Sequence, residues 1–185
     1  VGISADERRK DRKEFLTNGL FGEVAYEIKR KKLEDEGFII DVEMRIVPSD
    51  FEADWYGLAD EKDEDDEREI DFDRLLKEIC SDEENNKLIM RHALAEANNG
   101  EQVLLLSHRV EHCRDLEREF VKNNIRSGYF LGGPEFEVEF EKTRNGIKDG
   151  SIQVGVGTYG ALGVGVNLPA VSVGVAATPI TGNKF

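Results

Sequence analysis

Cysteine is scarce in this sequence. Its 185 residues include two cysteines, Cys80 and Cys113, which lie far apart and form no C-x-x-C. This spacing argues against a disulfide framework and against a zinc site built from cysteine, and it favours a cytoplasmic protein. Long apolar runs and a signal-peptide pattern are also lacking, so we expect no membrane partner.

Acidic residues are missing from one end of the chain, although the net charge is −14. None follows Asp149, whereas residues 59–85 are crowded with them. The overall charge argues against a free-standing nucleic-acid binder, but a local neutral or basic face could still meet phosphate. Residues 59–70 are so acidic that we expect a solvated loop of a composition typical of disorder. Adjacent carboxylates in a loop do not converge on one ion, so we interpret DEDD, residues 63–66, as a charge run that faces water.

The sequence has no P-loop motif, G-x-x-x-x-G-K-[ST], so this chain cannot by itself cradle a triphosphate in that way. It does contain G-x-G-x-x-G at Gly155, Gly157 and Gly160, after a predicted strand. A dinucleotide-binding fingerprint also requires a long helix after the glycines and an acidic residue further on for the ribose. Pro169 leaves little room for that helix and no carboxylate follows, so we interpret the pattern as a feature of a glycine-rich strand.

Residues 108–112, HRVEH, match the zinc-peptidase pattern H-x-x-E-H. In such a site His108 and His112 would share the metal, and Glu111 would be the general base. The segment directly follows a predicted buried strand, and no third ligand stands out. We therefore expect no metal site, and zinc hydrolysis is the weaker enzymatic alternative.

Apolar runs of strand length alternate with helical patterns in the second half of the chain. The predicted strands are 102–107, 126–131, 151–158 and 171–177, and the predicted helices between them are 109–124 and 135–148. Residues 134–141 also alternate with period two, so a strand is the alternative there. The order indicates an α/β fold, with three layers, α/β/α, and a mostly parallel sheet covered on both faces.

The patterns upstream of this region are less regular. We predict a short helix at 21–33 and a strand at 38–47. Ser81 and Glu84 have capping-box spacing in front of an apolar helical pattern, and Gly100 is a natural stop at its other end. We therefore predict a helix between them.

Several segments, in this order, resemble the second RecA-like domain of superfamily-two helicases and translocases, a P-loop NTPase-type fold. VLLLSHRVEHCRDLEREF, residues 103–120, looks like motif IV, whose loop faces the cleft and here contains Ser107, His108 and Arg109. SGYFLGGPE, residues 127–135, is similar to the next strand and its turn. Gly132 and Gly133 of that turn would let a nucleic-acid backbone come close.

The glycine-rich stretch VGVGTYGALGVGVNLP, residues 154–169, is similar to motif V. In that family a threonine at the strand end contacts a nucleic-acid phosphate, and Thr158 matches it. A later G-x-D-x-P lies near the nucleotide, and Gly165 and Pro169 match its first and last residues. Asn167 replaces the aspartate, which keeps a hydrogen-bonding oxygen for a ribose but loses the charge.

The N-terminal segment GISADERRKD resembles the end of the first helicase domain, which often reads G-L-T-A-T-P-x-R-x-D. Asp6 and Glu7 replace its Thr-Pro. FGEVAYEI, residues 21–28, resembles the segment that leads into the second domain. The resemblance thus implies that residues 1–20 are a remnant of the first domain or a linker, and that residues 21–185 form the second domain.

Both ends of the sequence look cut, so we expect a piece of a larger protein. No arginine follows Arg144, which places the arginine-bearing motif VI of the family beyond Phe185. The first domain would supply the Walker A lysine and the acid pair that holds Mg²⁺. We therefore assign no catalytic residue here and expect this chain alone not to hydrolyse ATP.

The resemblance implies an ATP-dependent helicase or translocase, cytoplasmic or nucleoid-associated. This domain would contact nucleic acid, DNA rather than RNA, and form one wall of an ATP and Mg²⁺ cleft with the first RecA-like domain. The residues expected to contact the strand are Ser107, His108, Arg109, Gly132, Gly133 and Thr158, and those on the nucleotide side are Gly165 and Asn167. The alternative is a non-catalytic interaction module with a helicase-like fold, whose acidic segment 59–70 binds a basic partner.

The positions expected to contact nucleic acid agree with a general property of parallel β-sheets. Ligands of such sheets bind beyond the carboxyl ends of the strands, and Ser107, Gly132 and Thr158 all fall there. Taken singly, each of these positions could be an ordinary tight turn. Taken as an ordered set, they favour the helicase resemblance.

Overall fold

The computed structural model describes residues 13–22, 24–39, 41–53, 55, 71–162 and 166–179. The chain divides into two units, Val1–Val47 and Pro48–Phe185. The acidic segment 59–70 and the first eleven residues, on which the N-terminal resemblance depends, lie outside the described residues. The domain boundary expected at residue 20 stays a prediction.

The first unit contains two short helices, α1 (Glu14–Phe21) and α2 (Arg30–Asp35). The helix predicted at 21–33 is confirmed only at residues 30–33, which belong to α2. Helix α1 ends at Phe21, its C-cap Gly22 has a φ of 80°, and residues 24–29 are not helical. The apolar residues Val24, Tyr26 and Ile28 recur with period two, and all three are exposed. That period does not give a helix an apolar face.

The strand predicted at 38–47 is also wrong in the described part of this run. Residues 41–47 form no strand, and no backbone hydrogen bond joins them to another described segment. Val42, Met44 and Ile46 are exposed. An alternating pattern produces a strand only where a neighbouring strand completes the hydrogen-bonded ladder.

The second unit is built on a four-stranded sheet in which every pair is parallel. The strands are β1 (Val103–Ser107), β2 (Ser127–Phe130), β3 (Val154–Thr158) and β4 (Val173–Ala176), in the spatial order β2-β3-β1-β4. The helices are α3 (Phe72–Ser81), α4 (Glu83–Asn98), α5 (Val110–Lys122) and α6 (Glu137–Asp149), with a 3-10 turn at Pro134–Phe136 before α6. The predicted α/β class and parallel sheet are confirmed, and the ambiguous segment 134–141 is helical.

Helices pack on both faces of this sheet. One face bears alternating valine and leucine side chains of β1 and β3, which form the core with α4 and α5. The other face of β3 bears Gly155 and Gly157, and it packs against Phe130 and against Ile147 of α6. None of the described helices is long and apolar enough to cross a membrane.

Helix α4 begins with a different cap from the predicted one. The carboxylate of Asp82 accepts a hydrogen bond from the backbone N–H of Asn85 at 2.6 Å, which makes Asp82 the N-cap. Ser81 is instead the last residue of α3 and donates its hydroxyl to the carbonyl of Lys77 at 2.8 Å. The predicted capping box is therefore wrong by one residue, whereas the helix does end just before Gly100, whose φ is 91°.

Candidate functional site

The carboxyl ends of the strands lie side by side because of their register. The Cα of Ser107 in β1 is opposite that of Thr158 in β3, and Phe130 in β2 is opposite Gly157. The loops that leave these ends are 108–109, 131–133, 159–162 and 177–178, and we call them the carboxyl edge. Polar and glycine residues that are up to 70 positions apart in sequence are thereby brought to one place.

Thr158 begins a tight turn at the carboxyl edge. Its carbonyl accepts hydrogen bonds from the N–H groups of Ala161 at 3.1 Å and Leu162 at 3.2 Å. Its hydroxyl oxygen accepts from Ala161 N–H at 3.3 Å, so the hydroxyl hydrogen can still be donated. A half-buried threonine in this arrangement can donate to a phosphate oxygen.

The glycine turn after β2 lies next to the Thr158 turn. A Cβ placed on Gly132 would lie 3.9 Å from the Cβ of Ala161. Gly133 has a φ of 121°, a conformation that side-chain-bearing residues rarely adopt. Both glycines are exposed, and the backbone of Gly132 can approach a ligand without a side chain in between. At Gly133 the carboxylate of Glu135 lies in that space, 2.7 Å from the position of an added Cβ.

His108 is held at the carboxyl edge by Thr178. Its backbone N–H donates to the Thr178 hydroxyl oxygen at 3.1 Å, and its Nδ1 lies 3.0 Å from the same oxygen. When the Thr178 hydroxyl donates to Nδ1, the ring hydrogen is on Nε2. The ring contacts Tyr159, with centroids 4.7 Å apart. Burial, and secondarily the charge of Arg109, lower the pKa of His108.

Arg109 is paired with α3 in this conformation. Its guanidinium lies 2.7 Å from the carboxylate of Asp73 and donates to the Asp73 carbonyl at 3.1 Å. The carboxylate is 86% exposed and the arginine side chain 34%. An exposed pair of this kind contributes little stability, so the guanidinium can exchange the carboxylate for a phosphate.

Ser107 lies beneath the edge and is fully buried. Its hydroxyl is 2.9 Å from Nδ1 of His112 and accepts the backbone N–H of Arg109 at 3.3 Å. Its carbonyl accepts the N–H of Tyr159 at 3.1 Å. The side chain is thus placed to hold the loop, and the direct strand contact expected for Ser107 stays a prediction.

His108 and His112 do not face a common metal position. Both ring nitrogens of His112 have partners, Ser107 at 2.9 Å and the side-chain oxygen of Asn86 at 2.8 Å. Nδ1 of His108 points to Thr178 instead. In the part of the chain that the structure describes, no three histidine, cysteine, aspartate or glutamate side chains cluster as a metal site would require.

The nucleotide-side residues are less well defined. Asn167 is exposed in the loop between β3 and β4, where its amide can exchange hydrogen bonds with a ligand hydroxyl. Gly165 lies outside the described residues. The assignment of both positions to a nucleotide stays a prediction.

Several residues at or near the edge were missed in the sequence. Thr178 lies in AATPITG, residues 176–182, which resembles the strand and turn after motif V, but nothing in that segment singles out its side chain. Asn86 has no motif around it, and the partners of Thr178 and Asn86 are 70 and 26 positions away. The guanidinium of Arg114 lies over the ring of Phe136 at 5.8 Å, just after the glycine turn. The sequence could have indicated this pair. Phe136 follows Gly133 by three residues, and Arg114 lies one turn into a helix that starts at the carboxyl edge.

No family model matches the chain, and neither does any curated protein. Two solved structures are similar to it. One is bacteriophage T4 UvsW, with 19% identity, a TM-score of 0.49 and coverage of 59% of this chain and 22% of that chain. The other is the Hef helicase domain of Pyrococcus furiosus, with 19% identity, a TM-score of 0.46 and coverage of 58% and 22%. The chain thus spans less than a quarter of either of these chains.

Proposed function

We propose that this chain is the C-terminal RecA-like domain of an ATP-dependent DNA helicase or translocase. The observation that supports the proposal is the convergence of three motif-like loops, after β1, β2 and β3, at one edge of a parallel sheet. Motifs IV and V and the glycine turn between them are expected at this edge in such a domain. The carboxyl edge of a parallel sheet is also where ligands generally bind.

The nucleic-acid strand would be held by protein groups of different chemical kinds. The Thr158 hydroxyl and the Arg109 guanidinium would each meet a backbone phosphate, and Nε2–H of His108 would add a donor. Gly132 would let the phosphate backbone approach the protein backbone, and at Gly133 the carboxylate of Glu135 would have to turn away first. These contacts carry no base readout, which suits a protein that moves along any sequence.

The ATP would lie against a second domain that supplies most of its contacts. On this chain the exposed amide of Asn167 would accept a hydrogen bond from a ribose hydroxyl, and Gly165 would leave room for it. ATP hydrolysis would supply the free energy for closing and opening the two domains. The part of this chain that the structure describes would position nucleic acid during that cycle and would not carry the chemistry.

Replacing Arg109 with Ala should weaken binding of a fluorescent oligothymidine strand and lower the slope of log affinity against log salt by about 1, because one phosphate contact is lost. Fluorescence anisotropy over a salt series measures both quantities. Arg118→Ala is the matched control, since Arg118 is also an exposed arginine of this region paired with an aspartate, Asp115, at 2.6 Å. We expect the control to keep the wild-type slope.

Thr158→Val provides a second, uncharged variant in the same assay. It removes the hydroxyl and keeps the branched shape that suits a strand end. We expect weaker binding with an unchanged salt slope, since no charge is removed. A wild-type protein that does not bind the strand at all, or equal slopes for Arg109→Ala and Arg118→Ala, would contradict the proposed function of this edge.

Replacing Asp73 with Asn should tighten strand binding by about twofold to fivefold, because the free energy of an exposed ion pair is at most about 1 kcal/mol. The carboxylate of Asp73 occupies the guanidinium that a phosphate would use. Asp115→Asn is the control, because it removes the same charge from the pair with Arg118 on α5. Equal gains for the two variants would indicate a general charge effect and no competition at Arg109.

A further inference from the structure

A chain of buried hydrogen bonds runs beneath the carboxyl edge. The Ser107 hydroxyl is 2.9 Å from Nδ1 of His112, and Nε2 of His112 is 2.8 Å from the side-chain oxygen of Asn86. The Asn86 amide nitrogen donates to the carbonyl of Cys80 at 2.9 Å. The chain thus connects the end of α3, the first turn of α4, the first turn of α5 and the end of β1.

The direction of each hydrogen bond follows from the Asn86 amide. Its nitrogen must face the carbonyl of Cys80, so its oxygen faces His112. Nε2 of His112 therefore carries the ring hydrogen, and Nδ1 is the acceptor. The Ser107 hydroxyl must then donate to Nδ1, and its oxygen is left to accept the backbone N–H of Arg109.

The surroundings keep His112 neutral. The groups that face it are Asn86 from α4, the Ser107 hydroxyl from β1 and, one turn along α5, the carboxylate of Asp115. The thiols of Cys80 and Cys113 lie around the Ser107 end. Burial lowers the pKa of His112 to about 4, and Asp115 opposes this only in part.

We propose that Asn86, His112 and Ser107 form a positioning relay that fixes the backbone at His108 and Arg109 for contact with a phosphate backbone. The relay deepens the proposed function, on which it rests. Each of the three side chains joins its neighbours by one hydrogen bond, and the last step ends on the N–H of Arg109 itself. A loop held only by packing would not need a defined ring tautomer two hydrogen bonds away.

Asn86→Asp tests the relay through a pH profile. A carboxylate beside Nε2 favours protonated His112, whose Nδ1 then donates to Ser107 and leaves the hydroxyl hydrogen without an acceptor. We expect oligothymidine affinity of this variant to fall about tenfold, relative to a control, between about pH 8 and pH 6. The control is Asn98→Asp, which makes the same charge change at an exposed site of the same helix. A constant ratio of the two affinities over this range would overturn the relay.

A double-mutant cycle keeps the relay testable if Asn86→Asp does not fold. If Ser107 acts through Arg109, the affinity losses of Ser107→Ala and Arg109→Ala should overlap, and the double variant should be about as weak as the weaker single one. If the affinity of the double variant instead falls by the product of the two single losses, Ser107 stabilises the fold in general, and the relay would be overturned. A wild-type protein that binds no strand would instead remove the proposed function, and the relay with it.

The ring nitrogen shifts of His112 give a readout that is independent of nucleic acid. We expect them to report the Nε2–H tautomer without titration between about pH 6 and pH 8 in the wild type. In Ser107→Ala, Nδ1 loses its donor, so its nitrogen shift should change. The Nδ1–H tautomer in the wild type, or no change at Nδ1 in the variant, would contradict the direction of the relay.

Discussion

Replacing Gly157 with Ala should lower the free energy of unfolding by about 2–3 kcal/mol, because the added methyl group has no room. A Cβ at Gly157 would lie 2.6 Å from the carbonyl oxygen and 2.6 Å from the Cβ of Phe130, its partner in β2. Neither atom is the movable end of a flexible side chain. The strands would have to separate locally, and the packing of α6 on this half of the sheet would change with them. Urea denaturation followed by circular dichroism measures the effect.

Two other glycines serve as matched controls for this experiment. Gly174 lies in β4 of the same sheet and Gly160 in the turn after β3, and a Cβ on either would meet nothing within 4 Å. Alanine at these positions should change stability by no more than about 1 kcal/mol and should on balance stabilise, because it restricts the unfolded chain. If all three variants lost the same stability, the lack of space around Gly157 would not be the cause of the loss.

The contacts of these glycines explain the G-x-G-x-x-G pattern. Gly155 and Gly157 face the side of the sheet covered by α6, where Phe130 and Ile147 occupy the space that side chains would need. Gly160 has no close neighbour and no positive φ. The pattern therefore combines two packing glycines with one unrelated turn glycine. The alternation of valine and glycine in β3 contained this information, since the two residue types lie on opposite faces.

The part of the fold that could be predicted is the part with regular local patterns. The four strands of the sheet and α5 and α6 were located to within a few residues, because apolar runs and helical periodicity are strong there. The helix predicted at 21–33 failed over residues 24–29 because their apolar residues recur with period two, which gives a helix no apolar face. The strand predicted at 38–47 failed because an alternating run forms a strand only with a partner. At α4 the predicted N-cap was wrong by only one residue. Ser81 and Asp82 are both good N-cap residues, and α3 extends to Ser81, which leaves Asp82 as the cap.

The candidate site was predictable in position but not in the roles of its residues. The rule that parallel sheets bind ligands at the carboxyl edge located Thr158 and the glycine turn correctly at that edge. It could not show that Ser107 is buried and faces His112, or that Arg109 is paired with Asp73. Those facts depend on α3 and α4, whose positions against the sheet are set by long-range packing. The same packing explains why Asn86 and Thr178 were missed.

The stability of the protein should fall by roughly 3 kcal/mol between about pH 6.5 and pH 4 on account of His112 alone. Burial lowers its pKa from 6.5 to about 4, so in this range the unfolded chain binds a proton that the folded chain does not. The contribution is complete above the unfolded pKa and is lost as the pH falls toward the folded one. The position of the urea midpoint at several pH values measures the change.

His112→Gln separates this effect from the titration of carboxylates. Glutamine cannot be protonated in this range, so the variant should be less stable than the wild type at neutral pH, but its stability should change less between about pH 6.5 and pH 4. His92→Gln on α4 is the control, because His92 is only partly buried and has no hydrogen-bond partner in the relay. Parallel curves for the wild type and His112→Gln would mean that the folded protein binds the proton as readily as the unfolded chain. A protonated ring would have to donate from Nδ1, so Ser107 could then no longer donate to it, and the order of the Asn86, His112 and Ser107 hydrogen bonds would have to be different.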